Sequence, residues 1–231
     1  VERNAREGAA TLALSEVFEQ TLGIATLSGL GDTALTSREL LQDTEGRIRA
    51  VAGDQHPALL SRGLAILARN STVLGDYPRG PALAREAAAL TAGDPVADAQ
   101  DQATLASLLN LQGKHAEAQQ VARLALAALP DDERPVRLQL MMEIARSEWN
   151  EVQRAQAQKT LEQAMALAQQ SGNRIAQAEL HRQRGSWHAR LRHIRDAESD
   201  MKQAIALAGA SAPLVANEAR HSLAGLLLLE E

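Results

Sequence analysis

The stretch LLNLQGKHAEAQQVARLALAALP, residues 108–130, decides the fold. Its apolar residues recur at helical spacing on both sides of Gly113, and Pro130 closes it, so it predicts two amphipathic helices joined by a tight turn. Apolar residues make up 45% of the chain, mostly as alanine and leucine, while aromatic residues account for only 2%. Because strands are usually rich in β-branched and aromatic residues, this composition favours helix throughout.

The second helix of this stretch recurs along the chain. AQQVARLAL at 118–126 aligns with ALAREAAAL at 82–90, AQKTLEQAMAL at 157–167 and AESDMKQAIAL at 197–207. A repeat of roughly 20 to 50 residues is typical of stacked helix pairs, in which small residues let the paired helices approach closely. The alanine before the closing apolar residues recurs in steps of 38, 39 and 40 residues, at Ala87, Ala125, Ala164 and Ala204.

Turns and prolines indicate the boundaries of the array. The turns predicted between paired helices lie at 75–78, 113–114, 147–152 and 192–193. Proline cannot donate an interior helical hydrogen bond, so it tends to stand at a helix start or just after a helix end. We expect a helical segment over 1–55 and a final helix over 212–231 that caps the open end of the core. The run from Leu226 to Leu229 is apolar enough to form an interface instead. The expected helix pairs are 56–94, 95–130, 134–172 and 174–211.

The pairs resemble the tetratricopeptide repeat (TPR), although the usual TPR period is about 34 residues. The fourth pair keeps Gly185 but has His181 and Arg184 where the pattern has apolar residues. The resemblance implies an all-α, TPR-like α-solenoid whose antiparallel helix pairs form a right-handed superhelix. The second pair carries the pattern best, with Leu105-Ala106, Leu109, Gly113, Ala118, Ala122, Ala125 and Pro130.

The same resemblance implies a binding surface. In TPR proteins the first helix of each pair lines a concave groove that binds an extended or helical peptide. Five of the corresponding residues here are arginines, which favour an acidic ligand unless nearby acids already pair with them. For Trp149, core packing and a groove contact both remain open. The lining carried onto this sequence is Arg62, Arg69, Gln100, Ser107, Asn110, Gln139, Arg146, Trp149, Arg182, Ser186 and Arg190.

Residues 10–90 carry a second resemblance. A helix containing Phe18 is followed by a loop of small residues over 23–36, and Thr36 and Glu39 form a capping box in the motif LTSRELL at 35–41. With Gly75-Asp76-Tyr77, these features are similar to the segment between the membrane span and the repeats of bacterial transmembrane Ser/Thr protein kinases with carboxyl-terminal TPRs. The resemblance implies a periplasmic sensor region that follows a membrane span, and the start at Val1 leads us to expect a longer native protein.

The sequence does not indicate catalysis. It contains no His-Arg-Asp or Asp-Phe-Gly element to hold a catalytic base and magnesium, and no cysteine. His181 and His188 share a helix face, but seven residues place them about 10 Å apart, too far for one metal ion. The acids at 131–133 suit the start of the next helix better than a paired-carboxylate site. We therefore expect no enzymatic activity, cofactor or metal in this chain.

Charge and hydropathy limit the partners. The formal net charge is −5, with acids and bases interspersed, which argues against nucleic-acid binding. No run approaches the roughly 18 apolar residues of a bilayer span, so membrane contact would come only through a span before Val1. We expect a protein or peptide ligand in the groove, with a homodimer as a further option. The favoured function is an extracytoplasmic kinase sensor region; the alternative is a cytoplasmic scaffold joining two proteins.

Overall fold

The computed structural model describes residues 37–52, 56–73 and 78–227, and within these ranges all regular structure is α-helical. The helix predicted near Phe18, the loop at 23–36, Thr36 and the motif at 75–77 lie outside the described residues. No described helix combines the length and apolar character that a membrane crossing requires. The helices are α1 Ser37–Ala52, α2 Pro57–Val73, α3 Arg79–Thr91, α4 Pro95–Leu111, α5 His115–Ala128, α6 Arg134–Asn150, α7 Arg154–Gln170, α8 Arg174–Arg190, α9 Ile194–Ala208 and α10 Pro213–Leu227.

The helices pack as consecutive pairs in two compact units, Val1–Pro130 and Asp131–Glu231. In the first unit α2 pairs with α3 and α4 pairs with α5, while α1 packs on α2 and α3 packs on α4. In the second unit α6 pairs with α7 and α8 with α9, and α10 packs on both α8 and α9. The predicted fold class, an all-α TPR-like helical repeat, is confirmed.

Prolines and side-chain caps set several helix starts. α2, α4 and α10 begin at Pro57, Pro95 and Pro213, where the missing backbone N–H costs no helical hydrogen bond. Asp94 caps α4, because its Oδ1 accepts hydrogen bonds from the backbone N–H groups of Val96 and Ala97 at 3.0 and 3.2 Å. At the other end of that pair, α5 stops two residues before Pro130.

Small residues of the second helices form the interfaces within the pairs. Small side chains bring the axes of paired helices close together, and one position requires glycine. A Cβ atom on Gly185 of α8 would lie 3.0 Å from the Cβ of Asp200 and 3.2 Å from the carbonyl oxygen of Ala197 in α9. The buried second-helix positions predicted from the repeat are Ala84, Ala87, Ala118, Ala122, Ala125, Ala157, Leu161, Ala164, Ala197, Met201 and Ala204.

The same type of turn joins the two helices of the second, third and fourth pairs. Gly113, Val152 and Arg192 have φ of 75°, 62° and 63°, and each follows a buried small residue by seven positions. In each turn the next backbone N–H reaches back to a first-helix carbonyl, with N···O distances of 2.8 to 2.9 Å. These bonds satisfy carbonyl groups that a helix end leaves unpaired.

The third turn starts later than the sequence indicated. The turn predicted over residues 147–152 is confined to its end, and Ser147 lies inside α6, fully buried. Its hydroxyl donates to the carbonyl oxygen of Glu143 at 2.8 Å. The hydroxyl of a helical serine can donate to a carbonyl oxygen in the preceding turn of its own helix. Ser147 therefore lies in a helix and not in the predicted turn.

Candidate functional site

The first helices of the four pairs carry a repeated set of polar positions. Residues seven apart lie on the same side of a helix. The equivalent positions are five and twelve residues after the first residue of each helix. We call these positions the first-helix stripe: Arg62, Arg69, Gln100 and Ser107 in the first unit, and Gln139, Arg146, Glu179 and Ser186 in the second.

In the first unit the stripe is mostly exposed. Arg62, Arg69 and Gln100 are exposed, and Ser107 is half-buried. Nη1 of Arg69 donates to the hydroxyl of Thr104 at 3.3 Å, which links α2 to α4. Since α2 and α4 are in contact, their stripe residues lie on neighbouring helices of this unit.

Asn110 does not share this face. Its side chain is only 6% exposed, and its Oδ1 lies 3.1 Å from Nδ1 of His115 at the start of α5. The position at the end of α4 turns inward toward the second helix of its own pair. The structure thus places this sequence-predicted lining residue inside the helix pair.

In the second unit Arg146 of the stripe and Arg182 of α8 each lie beside a carboxylate. Gln139 of α6 is exposed. Nη1 of half-buried Arg146 donates to both carboxylate oxygens of Glu143 at 3.1 Å. On α8, Nε of Arg182 lies 3.3 Å from the carboxylate of Glu218 on α10. Two arginines expected to face a ligand are therefore engaged within the protein.

The last two predicted residues lie toward the carboxyl end of α8. Ser186 is half-buried, and its hydroxyl donates to the carbonyl oxygen of Arg182 at 3.0 Å. Arg190 is exposed at the final position of the helix. Of these two residues, Arg190 presents a charged group to solvent.

Trp149 takes part in an aromatic stack. Its ring lies against that of Trp187, with centroids 4.5 Å apart and planes 1° apart, and the guanidinium of Arg154 sits 5.6 Å from its centroid. Trp187 is 6% exposed and belongs to the core of the second unit, whereas Trp149 is half-buried at the edge of that core. The stack joins α6 to α8, the first helices of consecutive pairs.

Glu179 is a stripe residue that the sequence reasoning missed. It is half-buried on α8 and makes no hydrogen bond or ion pair with any part of the chain that the structure describes. Burial raises its pKa, against the opposing effect of Arg182 and Arg146. The available signal was positional, because Glu179 stands where the other first helices have Arg62, Gln100 and Gln139.

Polar residues at apolar repeat positions of the fourth pair surround one buried carboxylate. Asp200 of α9 is 4% exposed. Arg184 donates to it through Nε at 2.9 Å and Nη2 at 2.6 Å, and Nδ1 of His181 lies 2.9 Å from its Oδ1. Nδ1 of His188 lies 3.2 Å from its Oδ2. Burial alone would raise the pKa of Asp200, but hydrogen bonds from His181 and Arg184 outweigh it and lower the pKa to about 2.

A second buried carboxylate lies in the first unit. Asp101 of α4 is 6% exposed and accepts hydrogen bonds from the hydroxyls of Ser61 in α2 at 2.6 Å and Thr91 in α3 at 2.8 Å. Burial raises its pKa despite these bonds. Asp101 thereby connects three helices. In the described part of the chain, no group of three histidine or acidic residues is arranged to hold a metal ion.

A cavity of about 250 Å³ lies between α1, α2 and α3. The carboxylate of Glu45 in its wall accepts hydrogen bonds from Arg79 at 2.5 Å and Arg49 at 2.8 Å. Arg49 also donates to Glu86 of α3 at 2.5 and 2.8 Å. These charge-assisted bonds fasten α1 to α3, so the polar groups around the cavity hold the helices together.

The paired helices, the small-residue interfaces and the polar first-helix stripe define a TPR-like helical repeat protein. Among solved structures, it is similar to BtubC (BKLC) from P. vanneervenii, with a TM-score of 0.62 and 16% identity over 80% of each chain. It is also similar to the apo form of RapI, with a TM-score of 0.57 and 11% identity over 96% of this chain and 72% of that one. At these identities the likeness is one of fold.

Comparison by sequence identifies no relative. No family model matches the chain, and no curated protein matches it. The resemblance to kinase sensor regions therefore rests on the residues quoted above.

Proposed function

We propose that this chain binds a protein or peptide segment on its first-helix stripe. The observation that carries the proposal is the exposure pattern of α4 and α6. Gln100 is the one exposed residue between Val96 and Asn110, and Gln139 is the one exposed residue between Val136 and Asn150. Both stand at the same stripe position, and within these two spans every other residue is buried or half-buried.

This arrangement favours binding because the stripe residues lie on helices that pack against the rest of the fold. A helix packed on its other sides holds its exposed side chains in fixed positions, which reduces the entropy lost when a partner binds. Within each unit, polar side chains on its two first helices provide hydrogen-bonding groups for an extended or helical segment. A repeated surface of this kind provides recognition by shape and polarity.

We further propose that the chain is the extracytoplasmic sensor region of a bacterial transmembrane Ser/Thr protein kinase. The support is the resemblance over residues 10–90; of the motif LTSRELL, residues Ser37 to Leu41 form the start of α1. Ligand binding, or pairing of two copies, would change the spacing of the kinase domains across the membrane. The periplasm is the compartment that this role requires.

An antiserum against this chain tests the sensor role in the native organism. We expect it to detect a membrane-bound protein larger than the 24.7 kDa of this chain by at least a kinase domain. Protease added to the outside of spheroplasts should remove the epitope while leaving a cytoplasmic marker intact. A soluble, protease-protected product close to the mass of this chain would contradict the sensor role and favour a cytoplasmic scaffold.

A further inference from the structure

Two hydrogen-bond acceptors without donors lie on one side of α8. Glu179 and Gln183 are four residues apart and therefore neighbours on the helix surface. The carboxylate of Glu179 is half-buried and has no hydrogen-bond or ion-pair partner in the described chain. Gln183 is only 6% exposed, and its Oε1 is buried without a donor among the described residues.

The orientation of the Gln183 amide is fixed by its other end. Nε2 donates to the carbonyl oxygen of Met142 in α6 at 3.4 Å. Exchanging the amide oxygen and nitrogen would place two acceptors against each other, so Oε1 must be the atom without a donor. Buried polar atoms in proteins nearly always have a hydrogen-bond partner, which makes this one unusual.

The cations nearest Glu179 are already ion-paired with other carboxylates, although Nε of Arg182 makes no hydrogen bond among the described residues. Arg146 is bonded to both oxygens of Glu143, and Arg182 lies against Glu218. Together with Glu179 these residues comprise three carboxylates and two guanidinium groups, so this part of the face carries one excess negative charge. Arg190 is eleven residues further along α8, about 16 Å away at 1.5 Å per residue, too far to compensate it directly.

We propose that Glu179, backed by Gln183, binds a cationic side chain, a lysine or arginine of a partner protein segment. The proposal rests on the proposed function, since it names the chemistry of the segment that the stripe of the second unit recognises. An ammonium or guanidinium group supplies several N–H donors and the opposite charge, and charge-assisted bonds are the stronger class. Because burial raises the pKa of Glu179, a bound cation would also stabilise its ionised form.

This ligand chemistry differs from the acidic ligand that the arginine content of the sequence suggests. That hypothesis requires arginines available to a partner, whereas Arg146 and Arg182 have carboxylate partners in the second unit. Near the middle of α8, the charged group without an ion-pair partner in the described chain is the carboxylate of Glu179, which is negative.

Peptide selection from a random library tests the inference without assuming a partner sequence. A display library of random short peptides is panned against the complete 231-residue chain and against its Glu179→Gln and Glu162→Gln variants. Glu162 is an exposed carboxylate on α7, so its replacement makes the same charge change away from the stripe. We expect lysine and arginine to be enriched among peptides selected by the unmodified chain and the Glu162→Gln variant, and not by Glu179→Gln.

The affinity of one selected peptide gives the quantitative test. Fluorescence anisotropy should show Kd weakened about tenfold or more by Glu179→Gln, and changed by less than about twofold by Glu162→Gln. Glu179→Lys should abolish binding of the basic peptide, with unchanged circular dichroism as the check on folding. Selected peptides without basic enrichment, or a Kd indifferent to Glu179, would overturn the cation inference and leave the protein-binding function standing. Failure to select any peptide would overturn both.

Discussion

Arg184 donates two hydrogen bonds to Asp200, from Nε at 2.9 Å and from Nη2 at 2.6 Å. In the other helix pairs the position equivalent to Arg184 carries an apolar residue. The bidentate geometry matches the planar guanidinium to the carboxylate. The fourth pair therefore has an ionic contact, buried on the aspartate side and half-buried on the arginine side, at a position that otherwise carries leucine or isoleucine. The residues equivalent to Arg184 are Leu67, Leu105 and Ile144, all buried.

Replacing Asp200 by asparagine should destabilise the protein. The variant leaves Arg184 without its carboxylate, and because the Arg184 side chain is 34% exposed we expect a cost of about 1–3 kcal/mol, less than for a fully buried pair. Urea denaturation followed by circular dichroism measures the loss. Asp196→Asn, an exposed change on the same helix, is the control and should cost less than about 1 kcal/mol.

The same carboxylate should contribute to acid sensitivity. Its pKa is lowered to about 2 in the folded protein, so its contribution is complete above the ordinary aspartate pKa of about 4 and is lost as pH falls toward 2. The free energy of unfolding should fall by about 2 kcal/mol over that interval from this group, and the Asp200→Asn variant should lack this component. Equal acid dependence in the two proteins would contradict the assignment.

Asp101 should show the opposite pH dependence. Its folded-state pKa is raised by burial, so its contribution is present below the ordinary aspartate pKa and is lost as pH rises toward the raised value. Asparagine at this position can still accept from Ser61 and Thr91. We expect Asp101→Asn to gain stability relative to the unmodified protein as pH rises through this range. Urea midpoints at several pH values test the sign, and a relative loss with rising pH would refute it.

Gly185→Ala should destabilise the fourth pair although alanine is the better helix former. The new methyl group would lie 3.0 Å from the Cβ of Asp200 and 3.1 Å from Cε of Met201, and overpacking of this kind costs about 1–3 kcal/mol. Gly46→Ala in α1 is the matched control. No atom lies within 4 Å of its added Cβ, so it should gain up to about 1 kcal/mol from helix propensity. Thermal unfolding of both variants should therefore shift in opposite directions.

Val152→Gly should stabilise the third turn. Val152 has a φ of 62° and is 74% exposed, so its side chain gains little burial in a conformation that costs an L-residue about 1–2 kcal/mol. Glycine removes that cost but loses about 0.5–1 kcal/mol through chain entropy, leaving a net gain of about 0.5–1 kcal/mol. Gly113→Val places the same residue in the equivalent turn and should destabilise. A loss of stability in Val152→Gly would show that the valine side chain contributes there.

Features encoded by local pattern were predictable from the sequence. The alanine register of α5, α7 and α9 follows from spacing along one helix, and the Gly113 turn from a residue that tolerates positive φ. The turns at Val152 and Arg192 lack that signal, because the residue with positive φ is not glycine there. Local pattern therefore predicted the helix pairs but left the start of the third turn imprecise.

Side-chain contacts between helices were not predictable in this way. His181 and Arg184 weakened the repeat pattern of the fourth pair because their partner Asp200 lies on the next helix. Asn110 has the sequence character of a surface residue, yet it bonds to His115 inside the pair. Glu179 could be recognised only after the partners of Arg146 and Arg182 were known, because what distinguishes it is the lack of an ion-pair partner among the described residues.

The most direct test of the protein-binding claim is position-dependent photo-crosslinking in cells that make the native protein. A benzophenone amino acid is placed at Gln100 or Gln139 on the stripe, and at Gln120 or Gln163 on second helices, all exposed glutamines. We expect a crosslinked partner from the stripe positions and none from the second-helix positions. Crosslinks confined to the second helices, or absent at all four positions, would contradict the claim.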